Sequence, residues 1–287
     1  MTKIIHKNID ETLKGATEKD VYFGYTCIGG RTEDQDCLAY NEVNGRQFFA
    51  VCDGMGGHAG GCVASLTAAS AISEAFDRQA EVVPTKDVMT SAVTEANAAV
   101  YKMAHEDPSL RGMGTTLTLL VIDKEAAYVT HIGDSRIYQL RKGKKIFRTF
   151  DHSIVFEQVA KGKMTEEEAR QHPRSNVLSR AVGILPDVDV VVTKLAYRKG
   201  DRFVLCCDGV WNTQPEKAII EMLTTHQEVE TTCMSSRSMV EKIGNDAGGK
   251  HDNHTMIAVD MLCDSTYKKS LLGRLRNLFR RNDNPTT

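Results

Sequence analysis

The sequence predicts one α+β domain, on three observations. At 287 residues and 41% hydrophobic, the chain can bury one sizeable core, and β-rich domains often run this long. Residues 114–150 hold short apolar runs separated by turn signals, a meander of antiparallel strands rather than a βαβ alternation. Two longer helical patterns lie among the strands, one after Gly61 and one after Pro84-Thr85.

Taken in order, residues 1–20 are polar and read as an N-terminal extension, with the domain proper over 21–264. Strands are expected over 21–28 and 37–40. Asn44-Gly45 is a hairpin signal leading into the apolar run 48–52. A helix follows over 61–78, and a second from Thr85, where Val88, Met89, Ala92, Val93, Ala96, Ala99, Val100 and Met103 make one apolar face. Strands over 117–122, 127–132, 137–140, 145–150, 188–195, 202–207 and 255–262 come next, with short helices over 154–160, 165–171, 215–223 and 236–243. Thr165 and Glu168 have capping-box spacing.

Net charge is −2, which gives the chain no basic character for nucleic acid. The sign is uneven. Residues 265–287 carry six Lys/Arg and one Asp, a balance of +5 that leaves −7 on the body. Within 266–281, Leu271, Leu272, Leu275, Leu278 and Phe279 fall on one helical face. This basic amphipathic tail has two readings: a helix docked on the acidic body, or an interfacial helix that meets an anionic membrane or an acidic partner. The eight cysteines form no CxxC pair and several sit in apolar runs. They read as small buried hydrophobes in a reducing compartment, not as zinc ligands or disulfides. No signal peptide and no run of about 18 apolar residues is present, so a cytoplasmic monomer is expected, peripheral to a membrane only through the tail.

The chemistry centres on Phe48-Phe49-Ala50-Val51-Cys52-Asp53-Gly54-Met55-Gly56-Gly57-His58. An apolar strand ends on an acid, and glycines let backbone or water approach closely, which suits a hard cation. Taken alone, Asp53 is better explained as a solvated turn residue. Asp134, Asp208 and Asp252 also stand where strands meet loops, and Cys207-Asp208-Gly209 repeats the Cys52-Asp53-Gly54 phrase. Four acids in matched contexts point to an oxygen-ligated Mg2+ or Mn2+ cluster rather than zinc.

Arg31-x-x-Asp34-Gln35-Asp36, Asp53-Gly54-Met55-Gly56-Gly57-His58, Gly114-Thr115-Thr116, Gly133-Asp134-Ser135-Arg136, Asp151-His152-Ser153, Leu178-Ser179-Arg180-Ala181-Val182-Gly183, Cys207-Asp208-Gly209-Val210-Trp211-Asn212 and Asp252-Asn253-His254-Thr255 occur in that order. Together they resemble the motifs of the metal-dependent type 2C (PPM) protein serine/threonine phosphatases, the bacterial members most of all, over about residues 21–262. The resemblance implies a central β-sandwich of two antiparallel sheets flanked by helices, a four-layer α-β-β-α arrangement. It implies a metal centre at one end of the sandwich with two Mn2+ or Mg2+ ions and a weaker third.

On that basis Asp53 bridges both ions and the Gly54 carbonyl completes one. Asp208 and Asp252 bind the second, and Asp134 joins Asp208 at the third. Asp36 and Asn253 stand behind the ligands. Arg31 binds the substrate phosphate, and residues 154–186 form a flap beside the site. Two ions lower the pKa of a bridging water, so that a hydroxide attacks the phosphomonoester in line, with Arg31 holding two phosphate oxygens. Cys52 and Cys207 are not nucleophiles in this reading, and the oxygen-rich centre leaves no role there for His251 and His254. His152 is expected to brace the start of the flap.

Two departures from the family pattern stand out. Asp34 and Gln35 replace the commoner Asn or Met and Glu, and Met55 stands where some members carry a histidine general acid. The partners implied are phosphorylated proteins, and a Ser/Thr kinase with its targets. The alternatives are a catalytically inactive phosphoprotein-binding relative and a two-metal phosphodiesterase.

Overall fold

The computed structural model describes residues 2–6, 11–56, 60–78 and 84–267. In chain order it begins with β1 (Lys3–Ile5), β2 (Thr12–Ala16), β3 (Asp20–Tyr25), β4 (Asp36–Val43) and β5 (Arg46–Met55). Helices α1 (Gly60–Asp77) and α2 (Thr85–Glu106) follow. Then come β6 (Gly114–Thr115), β7 (Leu117–Ile122), β8 (Ala127–Ile132), β9 (Arg136–Arg141) and β10 (Lys144–Arg148). Next are α3 (Ile154–Ala160), α4 (Glu166–Gln171), β11 (Thr193–Leu195) and β12 (Asp201–Cys206). The last elements are α5 (Asp208–Trp211), α6 (Glu216–Thr224), α7 (Val229–Asp246) and β13 (Met256–Met261).

The strands form two antiparallel sheets. One runs β1-β4-β5-β7-β8-β11, with β6 beside β5. The other runs β10-β9-β12-β13-β3-β2. Strand β5 shows how they stack. Phe49 and Val51 point into the core shared with Tyr138 and Phe203 of the second sheet. Phe48, Ala50 and Cys52 point the other way, against Ala64, Ala68 and Ile72 of α1. A strand buried on both faces has no polar alternation, which is why this one reads as a continuous apolar run. Helix α7 covers the outer face of the second sheet, where the Cys233 thiol donates to the Phe23 carbonyl. The four layers are therefore α, β, β, α, as expected.

Three expectations need correction. Residues 1–20 are not a separate extension. β1 pairs with β4, Ile5 opposite Leu38, and β2 pairs with β3, Leu13 opposite Gly24, so this segment supplies the outer strand of each sheet. Edge strands bury few side chains, here chiefly Ile5 and Leu13, and leave little apolar signal. Of the strand expected over 188–195, only Thr193–Leu195 pairs. Helix α7 starts at Val229, seven residues before the expected 236, because its first turns bury small or polar residues such as Thr232 and Cys233. His58 and residues 268–287 of the basic tail lie outside the described residues. Among the described residues no helix is long and apolar enough to cross a membrane.

Candidate metal centre

Strand geometry brings the first two acids together. Asp36 opens β4 and Asp53 lies near the end of β5, and the register places them directly opposite. Like charges facing across an antiparallel pair destabilise it. Asp36 is 1% exposed and neither of its oxygens makes a hydrogen bond of normal geometry, while Asp53 is half-buried and faces the cavity. Asp134 sits in the turn between β8 and β9, Asp208 opens α5 directly after β12, and Asp252 lies in the loop before β13. Asp53, Asp134, Asp208 and Asp252 line one cavity of about 240 Å³ together with Arg31, Gln35, Gly54, Thr116, Asn176, Leu178 and Asn253. Chain segments more than 200 residues apart thus converge at one end of the sandwich.

The supports are local. The Asp53 N–H donates to Thr116 Oγ1 at 3.0 Å, and the Asp53 carbonyl accepts from the Thr116 N–H at 2.8 Å. Thr116 Oγ1 lies 2.7 Å from Ser135 Oγ, tying the β5 end to the Asp134 turn. A Cβ on Gly54 would stand 2.0 Å from the Gly61 carbonyl oxygen, so only glycine lets α1 approach this closely. Asp34 accepts from the Thr26 hydroxyl and from the Asp36 N–H, a structural use for this departure from the family pattern.

Electrostatics mark the cluster. Burial, then Asp36, Asp208, Asp134 and Asp252, hold the Asp53 carboxyl well above the usual carboxylate range. Asp36 is raised in the same way by burial and then Asp34, and Asp134 by burial and then Asp208. Asp208 is raised to about 6, by burial and Asp252. The Arg31 guanidinium supplies one counter-charge, with Nη2 2.7 Å from Asp252 Oδ2. Cys207 lies beside Asp36 and Asp53, their ligand atoms all within 4.8 Å of one another. Burial and these acids keep its thiol far above the usual range, so it is no nucleophile at neutral pH.

Other residues act as braces. The Asn253 side-chain amide donates to the Ile28 and Glu33 carbonyls and its oxygen accepts from the Gln35 N–H, clamping the Arg31 loop, while its backbone N–H donates to the Asp252 carboxylate. His152 joins the Asp134 turn to the flap: its N–H donates to the Gly133 carbonyl and its carbonyl accepts from the Ser179 N–H. Sequence reasoning cited Arg136, Asp151 and Trp211 in motifs but assigned them no role. Arg136 grips Asp151 through two bonds of 2.8 and 2.7 Å, and its guanidinium carbon lies 3.4 Å from the Trp211 ring centroid. The Trp211 indole N–H donates to the Asp134 carbonyl at 2.9 Å. This unit fixes the Asp134 turn to α5, which carries Asp208. Asn176 and Leu178 of the 154–186 segment were also missed as lining residues, since nothing in their types announces it.

The sequence matches the family model for protein phosphatase 2C over residues 23–244. It is 32% identical over 247 residues to the serine/threonine phosphatase stp of Listeria welshimeri, spanning 80% of this chain and 94% of that one. The crystal structure of the Mycobacterium tuberculosis serine/threonine phosphatase PstP/Ppp matches with a TM-score of 0.71 at 31% identity, over 84% of this chain and 98% of that one. The PstP catalytic domain in complex with two manganese ions matches with a TM-score of 0.72 at 30% identity, over 85% and 99%. An antiparallel sandwich with a buried carboxylate cluster at one end, matched in this way, defines a metal-dependent phosphatase. The chain belongs to the protein phosphatase 2C family.

Proposed function

We propose that this chain hydrolyses phosphoserine and phosphothreonine in proteins, using the cavity lined by Asp53, Asp134, Asp208 and Asp252. The observation that carries this reading is the facing pair Asp36 and Asp53, a buried acid opposite a half-buried one at the cavity, with both Asp36 oxygens lacking a hydrogen bond of normal geometry. Burial and mutual repulsion disfavour the ionised form of both carboxyls, and a bound cation would favour it. The donors are carboxylate and carbonyl oxygens, which suit Mn2+ or Mg2+.

Asp53, Asp208, Asp252 and the Gly54 carbonyl are the ligands for two ions, Asp134 joins Asp208 at a third, and Asp36 stands behind Asp53. Bound there, such ions supply Lewis acidity and lower the pKa of water. The chain's own contribution is positioning. Arg31 stands at the cavity mouth, half exposed and paired with Asp252, where its guanidinium would hold two phosphate oxygens. Asn253 keeps the Arg31 loop in place, and the Arg136–Asp151–Trp211 unit keeps Asp134 and Asp208 in register. A Ser/Thr kinase and its targets are the partners this activity calls for.

The test is hydrolysis of a phosphothreonine peptide and of a chromogenic monoester, with Mn2+ and with chelator, against a diester control. Turnover of both monoesters that chelator abolishes is expected. Binding of the peptide without turnover would identify an inactive phosphoprotein-binding relative, and preference for the diester would identify a phosphodiesterase.

A further inference from the structure

Behind the carboxylate centre lies a second cluster of a different chemical kind. Cys27 follows β3, Glu241 projects from α7, and His254 ends the loop that carries Asp252. The Cys27 thiol lies 3.0 Å from Glu241 Oε1, and His254 Nε2 lies 3.0 Å from the same oxygen. The three ligand atoms are all within 4.8 Å of one another. His251 stands on the far side of the carboxylate, with Nε2 3.3 Å from Glu241 Oε2. Neither His251 ring nitrogen makes a hydrogen bond of normal geometry, although the ring is largely buried. Its seat is shaped for it. A Cβ at Gly244, one turn after Glu241, would fall 2.1 Å from His251 Cγ, and one at Gly29 would fall 3.0 Å from His251 Cδ2.

We propose that Cys27, Glu241 and His254 form a site for a late first-row divalent cation, zinc first, with His251 seated against the other oxygen of Glu241. Thiolate, imidazole and carboxylate are the donors zinc takes in four-coordinate sites, and such donors stand roughly 3–4 Å apart around the ion. The present spacing needs only slight opening. Binding requires Cys27 to lose its proton, which leaves to solvent. Cys27 and His254 are buried, while the Glu241 side chain is 33% exposed and offers the ion a way in. Arg237, one turn before Glu241 on α7, adds an adverse positive charge, so the ion relies on both the thiolate and the carboxylate.

The site is chemically distinct from the oxygen-lined cavity and shares a loop with it. Cys27 and His254 already exchange both backbone hydrogen bonds, at 3.1 and 2.9 Å. A cation held by these side chains would clamp the segment between them, which holds Asp252 and Asn253, to β3 and α7.

The full chain, saturated with Mn2+ to occupy the carboxylate centre, is titrated with Co2+ and followed by absorption. The expected result is a near-ultraviolet sulfur-to-cobalt charge-transfer band that saturates at one equivalent. It disappears in Cys27→Ser and weakens in Glu241→Gln. It persists in Cys207→Ser, whose thiol lies beside the other centre. Glu241→Gln preserves side-chain shape and carries the test if Cys27→Ser does not fold. Absence of the band in the unaltered chain, its survival in both Cys27→Ser and Glu241→Gln, or its loss only in Cys207→Ser would overturn the proposal.

Discussion

Two buried pairs of charged side chains sit at the same end of this sandwich and obey opposite rules. Arg136 and Asp151 are 3% and 2% exposed, opposite in sign and joined by two hydrogen bonds. Tyr138 takes a further guanidinium proton at 3.2 Å, and the Trp211 ring covers the guanidinium face. Asp36, 1% exposed, and the half-buried Asp53 are alike in sign and directly opposed. The first pair is complete within the protein. The second is incomplete by one unit or more of positive charge. Buried charge alone therefore does not mark a functional site; buried charge without its complement does.

The sharpest way to break this contrast is to neutralise one member of each pair. Asp53→Asn should lower kcat on a phosphothreonine peptide by about two to three orders of magnitude, as when a metal-activated nucleophile is lost. The same substitution should raise the melting midpoint of the chelator-treated protein, because it removes repulsion. Loss of activity together with a lower metal-free midpoint would make Asp53 a structural residue instead. Asp151→Asn should do the reverse. It leaves Arg136 buried with half a partner, and chemical denaturation should show a loss of about 3–5 kcal/mol, with or without Mn2+.

Adding Mn2+ sharpens the contrast further. At about one hundred times its dissociation constant, a ligand of the folded state stabilises by about 2.7 kcal/mol. Thermal denaturation should register this gain in the unaltered protein and in Asp151→Asn, and much less of it in Asp53→Asn. Arg31→Ala is expected to be milder, raising KM about tenfold with a smaller change in kcat, since a charged hydrogen bond is lost while the carboxylates remain. Steady-state kinetics separate the two constants, and a collapse of kcat at unchanged KM would remove Arg31 from phosphate binding.

The smallest effect concerns His152, which links the Asp134 turn to the flap. Burial, and then His131 and Arg180, push its pKa down to about 4. A histidine held neutral in the folded state binds its proton more readily when unfolded. Its contribution is therefore present above the usual histidine value of about 6.5 and is lost as pH falls toward 4. Over that window the metal-free protein should lose stability faster than His152→Asn does, as followed by denaturant midpoints at several pH values. Parallel curves would mean that His152 titrates normally.

What could be read from the sequence follows the same division. Asp53, Asp134, Asp208 and Asp252 could be grouped in the sequence because four acids stand in matched contexts where strands meet loops, although each alone reads as a solvated turn residue. The order of motifs then carried the family. The Arg136–Asp151 pair was not legible, since its meaning lies in a contact with Trp211 that no local spacing encodes. Asn253 was placed behind the metal ligands, yet its amide is spent on the backbone of residues 28–35, a role that only the packed loop reveals. The two outer strands were hidden for a different reason. With one face toward solvent and few residues each, β1 and β2 carry almost no pattern.

The place of β13 has a consequence for how the molecule is made. This late strand lies in the interior of its sheet, with Met256 opposite both Cys206 of β12 and Tyr25 of β3. Until the ribosome has delivered it, β3 waits more than two hundred residues for its neighbour, and the second sheet is split into two pieces with bare inner edges. Pairings so distant in sequence close slowly, and open strand edges invite association with other chains. Asp252 arrives in the same stretch, just ahead of β13. A nascent or truncated chain that stops short of Asp252 would thus lack both the strand that joins the sheet and the last carboxylate of the cavity, so catalytic competence and protection from aggregation are acquired together in one late step of synthesis.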